Sequence, residues 1–169
     1  MADLHIYQIL AASLLIYAAA RDIATRLIPD AVPLGLAAAG LLSRLMTGWA
    51  DASTSLLVSL VLFAALLPLA MRGWLGGGDV KLIAALAAGL PPQETWLFIV
   101  ATVFAGGVLG VVYIIGRYVV PEMSLAGGAS LLRRVVAVEA RRIRRRGPLP
   151  YAVAIAVGGL FVLKILPGI

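Results

Sequence analysis

Six apolar stretches alternate with short polar ones along the chain, at residues 4–20, 32–48, 54–71, 80–90, 96–118 and 151–167. A helix rises about 1.5 Å per residue and the hydrocarbon core of a bilayer is about 30 Å thick, so a crossing takes roughly 17–25 apolar residues. Five of the stretches reach that length. The exception is 80–90, held between Gly76-Gly77-Gly78-Asp79 on one side and Pro91-Pro92 on the other. A short span that follows a glycine run can begin below the membrane surface, because irregular backbone is tolerated at depth where it lines a wet cavity. The pattern predicts an all-α, polytopic membrane helical bundle of six transmembrane segments with a short, broken fourth helix. One domain covers 1–169, with 119–150 as a basic loop inside it.

Composition agrees with the pattern. Hydrophobic residues make up 62% of the chain and charged ones 13%, with a mean hydropathy of +1.04; soluble domains hold about 45–50% and about 25%. The apolar N-terminal run ends in Ala18-Ala19-Ala20 but is preceded by Asp3 and His5 instead of a basic region, so it reads as a retained first span. Cysteine is absent, which excludes thiol nucleophiles, disulfides and cysteine-ligated metal centres, and a single histidine argues against a histidine metal site. No metal and no cofactor is expected.

Charge sets the orientation. Placing 21–30, 72–81 and 117–150 on one side gathers every Lys and Arg except Arg44 and Lys164, and that side is cytoplasmic by the positive-inside rule. Both termini then face outward, and Arg44 and Lys164 fall near outer span ends, where long side chains snorkel to the headgroups. The net charge of +6 is explained by topology, and no nucleic-acid partner is expected. Segment 126–146 mixes Leu131, Leu132, Val135, Val136 and Ile143 with arginines and is expected on the inner leaflet against anionic lipids, or as a docking surface for assembly proteins. Gly106 and Gly110 form a Gly-x-x-x-Gly pair suited to close helix packing.

The same orientation, derived only from basic residues, puts Asp22 at the end of the first span and Asp79 at the start of the fourth on one boundary. An ionisable group near hydrocarbon is costly and by default a functional candidate. Two carboxylates held close together share a proton. The ionised one can take a proton from an attacking water while the protonated one hydrogen-bonds the scissile carbonyl, which is aspartyl proteolysis without metal or thiol. Gly76, Gly77 and Gly78 would permit unusual dihedrals and close approach of a substrate backbone. The plainer reading makes the glycines a linker and Asp79 an N-cap of the fourth helix, and leaves Asp22 as a loop acid between Arg21 and Arg26. Asp30 suits an N-cap of the second span. Lys81 positions substrate or biases the pair, or only anchors the interface. Arg26 steadies Asp22, or only follows the charge rule.

Gly76-Gly77-Gly78-Asp79-Val80-Lys81-Leu82 resembles the GxGD signature of intramembrane aspartyl proteases, specifically the type IV prepilin peptidases. Asp22, followed by Arg26 and Ile28-Pro29-Asp30, is similar to that family's first catalytic segment, and Pro150-Tyr151-Ala152 resembles the opening of its closing helix. The resemblance implies a multi-pass enzyme of the bacterial inner membrane that cuts prepilin and pseudopilin leaders on the cytoplasmic side, with Asp22 and Asp79 as its catalytic pair. It implies substrates with a short basic leader ending in Gly, followed by an apolar helix. Longer members carry paired Cys-x-x-Cys motifs that bind zinc and accompany N-methylation. This chain has none and resembles the short members serving Flp or tight-adherence pili, so methyl transfer is not expected. The competing class is a non-enzymatic small transporter or secretion-complex subunit whose acids bind protons or cations, though no internal repeat is evident and the acids sit at one edge. A presenilin-like protease shares GxGD, but its usual Tyr-Asp first motif is missing, since Arg21 precedes Asp22.

Overall fold

The computed structural model describes residues 2–120, 131–145 and 147–163, with the side chains of 2–5, 131 and 132 excepted. Among these residues the chain is entirely helical, with α1 (Ala2–Thr25), α2 (Ala31–Thr47), α3 (Trp49–Met71), α4 (Gly77–Ala87), α5 (Pro92–Val119), α6 (Leu131–Arg144) and α7 (Tyr151–Val162). Three segments are long and apolar enough to cross a membrane: Ile6–Thr25, Trp49–Met71 and Pro92–Val119. The remaining apolar helices are shorter, α2 having 17 residues, α7 having 12 described and α4 having 11. Six full crossings are therefore an expectation that these lengths meet only in part. The outer end of the last predicted span, with Lys164, lies outside the described residues, as does 121–130 of the basic loop.

Burial explains why α4 can be short. Every residue from Asp79 to Leu90 except Lys81 is buried, and α4 packs on α2, α3 and α7, while α7 lies against both α1 and α5. A helix enclosed by protein need not match the bilayer. The outer helices show the opposite pattern. Leu57, Leu60 and Val61 of α3 and Val103, Phe104 and Val108 of α5 are all more than half exposed, as expected of side chains that face lipid tails.

Lipid supplies no hydrophobic drive for helix association, so small residues set the close contacts. A Cβ on Gly40 would stand 2.7 Å from the Gly89 Cα, which brings α2 onto the end of α4. Only half of the Gly-x-x-x-Gly expectation describes a contact. Gly106 receives the Tyr151 ring of α7, at 2.8 Å from where its Cβ would be, but Gly110 has nothing within 4 Å. The tighter α5–α7 contact is Thr102 on Gly158, which periodicity alone does not single out.

Two further expectations change. Asp30 precedes α2 but makes no capping bond with its side chain, because its backbone is already helical (φ −60°, ψ −23°) where capping needs extended geometry. Its carboxylate instead meets Lys81 Nζ at 2.7 Å. Arg44 does not reach outward alone, since it pairs with Asp51 at 3.3 Å and donates to Ser55 Oγ at 3.1 Å, and Ser55 in turn donates to the Leu90 carbonyl.

Candidate active site

The glycine run enters from a tight turn. α3 stops at Met71, Gly73 takes a left-handed φ of +74°, and the chain swings into Gly76, the residue that precedes α4. Gly76 itself is extended at φ −67°, and Gly77 and Gly78 already belong to the helix. Unusual dihedrals are therefore not what these positions need. Close approach is, and the approaching groups are the protein's own. A Cβ on Gly76 would lie 2.6 Å from Asp79 Oδ2, and one on Gly78 would lie 3.3 Å from Ile28 Cβ, whereas one on Gly77 would meet nothing within 4 Å. The two outer glycines let the Asp79 carboxylate fold back and let the Ile28-Pro29 segment lie against α4. The middle position is free.

Asp79 sits in the first turn of α4 and is 9% exposed. It accepts a hydrogen bond from the Gly76 amide, the acid half of a capping box, so the capping and chemical readings of this residue are compatible. Its other oxygen, Oδ1, is buried without a partner among the described residues. Asp22 lies in the last turn of α1 and is 7% exposed. That turn continues to Thr25, so Asp22 is part of the helix instead of a loop. Its Oδ2 accepts from the Ala152 amide at 3.2 Å, one of the donors a helix start leaves unpaired. Each acid thus engages the amino end of a different helix, and the two positive ends converge where one negative charge is to be held.

The structure brings Asp22 near enough to Asp79 for its charge to act on the Asp79 carboxyl. Burial first, and then the Asp22 charge, push the Asp79 pKa up to about 7, against smaller opposing effects of the Gly76 amide and Arg26. At neutral pH Asp79 is therefore near the midpoint of its own titration.

Arg26 is the third member of the cluster. It ends α1 in a left-handed conformation at φ +58°, and its amide donates to the Asp22 carbonyl at 2.9 Å. Glycine is the usual residue at such a helix end, and a larger residue there costs on the order of 1–3 kcal/mol. The guanidinium turns back to stand 4.0 Å from Asp22 Oδ2 and contacts Glu139 Oε1 of α6 at 2.5 Å. The Tyr113 hydroxyl of α5 donates to the same oxygen of Glu139. Arg142 Nη1 reaches Glu139 Oε2 at 3.1 Å and the Ile23 carbonyl at 2.8 Å. Sequence reasoning missed Glu139, Tyr113 and the Ala152 amide. The available signal was that Glu139 is the one acid in the run 133–146.

Beside Asp79 lies a groove of about 700 Å³, lined by Leu66 and Leu69 of α3, Ile99 and Val103 of α5, Tyr151 of α7 and the turn residues 73–76. Lys81 is not part of this arrangement. Two residues beyond Asp79 it faces another side of α4 and lines a separate cleft with Asp30. Among the described residues no three Asp, Glu or His side chains are grouped to hold a metal ion.

No curated protein and no solved structure matches the chain. A model of the type IV leader peptidase family, however, matches residues 9–111, which run from α1 into α5 and include Asp22, Arg26, the glycine run and Asp79; α6 and α7 lie beyond it. Together with a helical, lipid-facing fold that buries two neighbouring carboxylates, this match establishes that the chain belongs to the type IV leader peptidase family, a family of membrane proteases.

Proposed function

We propose that this protein is an aspartic endopeptidase that removes the basic leader from prepilins and pseudopilins of the Flp or tight-adherence type, with Asp22 and Asp79 as the catalytic pair. The observation that carries this reading is the meeting of two buried acids from α1 and α4 beside an apolar groove. The monoprotonated pair holds a water between its carboxylates. The ionised carboxylate takes one proton from that water as its oxygen attacks the scissile carbonyl carbon, while the protonated one gives its proton to the carbonyl oxygen. As the tetrahedral diol collapses, one of its hydroxyls gives its proton to the now ionised carboxylate while the other carboxylate passes the proton taken from water to the leaving nitrogen. The C–N bond breaks, the new carboxyl terminus departs with the leader, and the pair is again monoprotonated. Asp79 Oδ1, which lacks an internal partner, faces no competing bond for this exchange.

The groove suits the substrate on both counts of chemistry. Its walls are largely apolar, matching the helix that follows the cut, and Asp79 among its lining residues gives a chain lying in it access to the pair. In this reading the enzyme lies in the bacterial inner membrane with the acids at the cytoplasmic boundary, both termini outside and α6 against anionic lipids. A basic leader remains inside under the same rule that orients the enzyme, so its scissile bond arrives at the depth of the pair. Pilus or secretion assembly proteins are further candidate partners. Without paired Cys-x-x-Cys motifs no methyl transfer is expected.

Co-expression with a small prepilin, followed by mass spectrometry of the product, tests the proposal. Asp22→Asn and Asp79→Asn should each reduce cleavage by at least about a hundredfold, and the wild-type product should carry a free, unmethylated terminus. Cleavage that survives either substitution would refute the assignment.

A further inference from the structure

Arg26 stands against Asp22 in a way that needs explanation. A guanidinium and a carboxylate this near each other ordinarily close into a short bidentate pair, yet here the separation is 4.0 Å and Arg26 Nη1 is buried without a hydrogen-bond partner. The restraint comes from the other side. Glu139 grips Nη2 at 2.5 Å, and Glu139 is itself fixed by the Tyr113 hydroxyl and by Arg142, which also ties α6 to the end of α1 through the Ile23 carbonyl. Its side chain is 14% exposed, and Ala137 and Ala140 beside it are buried, so the carboxylate is seated and not a solvated loop acid. Arg26 itself holds a left-handed backbone at the end of α1.

We propose that Glu139 is a positioning residue that acts through Arg26: it holds the guanidinium near the acid pair but out of direct contact, and so sets how readily the pair keeps its shared proton. The inference rests on Asp22 and Asp79 being the catalytic pair. The charged and titratable groups that meet here are Asp22, Arg26 and, across α4, Asp79, with Tyr113 from α5, Glu139 and Arg142 from α6, and Tyr151 from α7. Within that set Glu139 is the acid in closest contact with Arg26. Without Glu139 the guanidinium is free to close on Asp22, and its charge then opposes protonation of the pair. Without Arg26 that opposition is gone.

The test is the pH profile of leader cleavage by the full-length enzyme in detergent, with Asp22→Asn and Asp79→Asn run alongside. Glu139→Gln should move the alkaline midpoint down by about half a pH unit or more, and Arg26→Met should move it up by a similar amount. The double variant should keep the Arg26→Met midpoint, because without Arg26 the loss of Glu139 has nothing to act through. A return toward the wild-type midpoint would mean that Glu139 acts on the pair directly and would refute the positioning role. Glu139→Asp should retain part of the wild-type midpoint. A midpoint is independent of the amount of folded enzyme, so loss of yield cannot imitate the shift. If the Asn variants are inactive but neither Glu139→Gln nor Arg26→Met moves the midpoint, or if both move it the same way, the role of Glu139 is refuted. If the Asn variants still cleave, the catalytic pair itself is wrong.

Discussion

The spacing Gly76-x-Gly78-Asp79 has a steric cause that separates its members. Gly76→Ala would push a methyl against the Asp79 carboxylate, the nearer oxygen lying 2.6 Å from the new carbon, and a small displacement of a reacting group is costly. Cleavage should fall roughly ten- to a hundredfold, whereas Gly77→Ala, with open space around it, should leave kcat/KM within about twofold of wild type. Measured rates on one peptide substrate would decide this, and equal effects at the two positions would contradict the geometry. Asp79 also makes a pH prediction. Its pKa is raised from 3.8 to about 7 in the folded protein, so the native state binds a proton that the unfolded chain has lost, and stability falls as pH rises through that window. Above it the buried charge is fully present. Asp79→Asn should therefore melt higher than wild type at pH 8 and close to it at pH 4. Activity should decline above about pH 7 as the pair loses its last proton.

Helices α5 and α7 are joined by contact so close that it forbids a side chain. A Cβ at Gly158 would meet Thr102 Oγ1 at 2.3 Å and the Thr102 amide nitrogen at 2.8 Å, and backbone cannot yield as a flexible side chain can. Gly158→Ala should destabilise the bundle by about 1–3 kcal/mol, seen as a lower melting temperature in detergent, and should reduce cleavage because α7 presents the Ala152 amide to Asp22. Much of this level was legible in the sequence. The apolar runs located every described helix except α6, which lies within the basic segment, and the glycine and proline brackets marked α4 as short. What remained hidden depended on partners distant in the chain. Asp30 has a good capping composition, but Lys81 draws its carboxylate away. Gly106 and Gly110 share a motif, yet only one has a neighbour. Glu139 lies in an arginine-rich run whose sequence says nothing of Arg26, 113 positions away.

For the whole molecule, the distribution of basic residues predicts a sidedness that labelling can test. The chain contains no cysteine, so any introduced thiol is unique. Ser53→Cys, exposed near the start of α3, and Arg72→Cys, exposed at its end, should label from opposite sides of intact cells or spheroplasts: the first with an impermeant maleimide added outside, the second only after permeabilisation. The reverse pattern would overturn the orientation while leaving the acid pair untouched. Asp22 and Asp79 stand out in the sequence because each lies at the edge of an apolar stretch, and the structure buries both.

The bond from the Ala152 amide to Asp22 joins the last helix to the first. A nascent chain that has emerged only through α5 already holds both acids, but one of them still lacks its donor and the Arg26–Glu139 clasp has not closed. With Asp22 and Asp79 as the proposed catalytic pair, a product terminated after α5 should be inert toward its neighbours in the membrane, and cleavage by such a truncated chain would contradict the part given to α6 and α7.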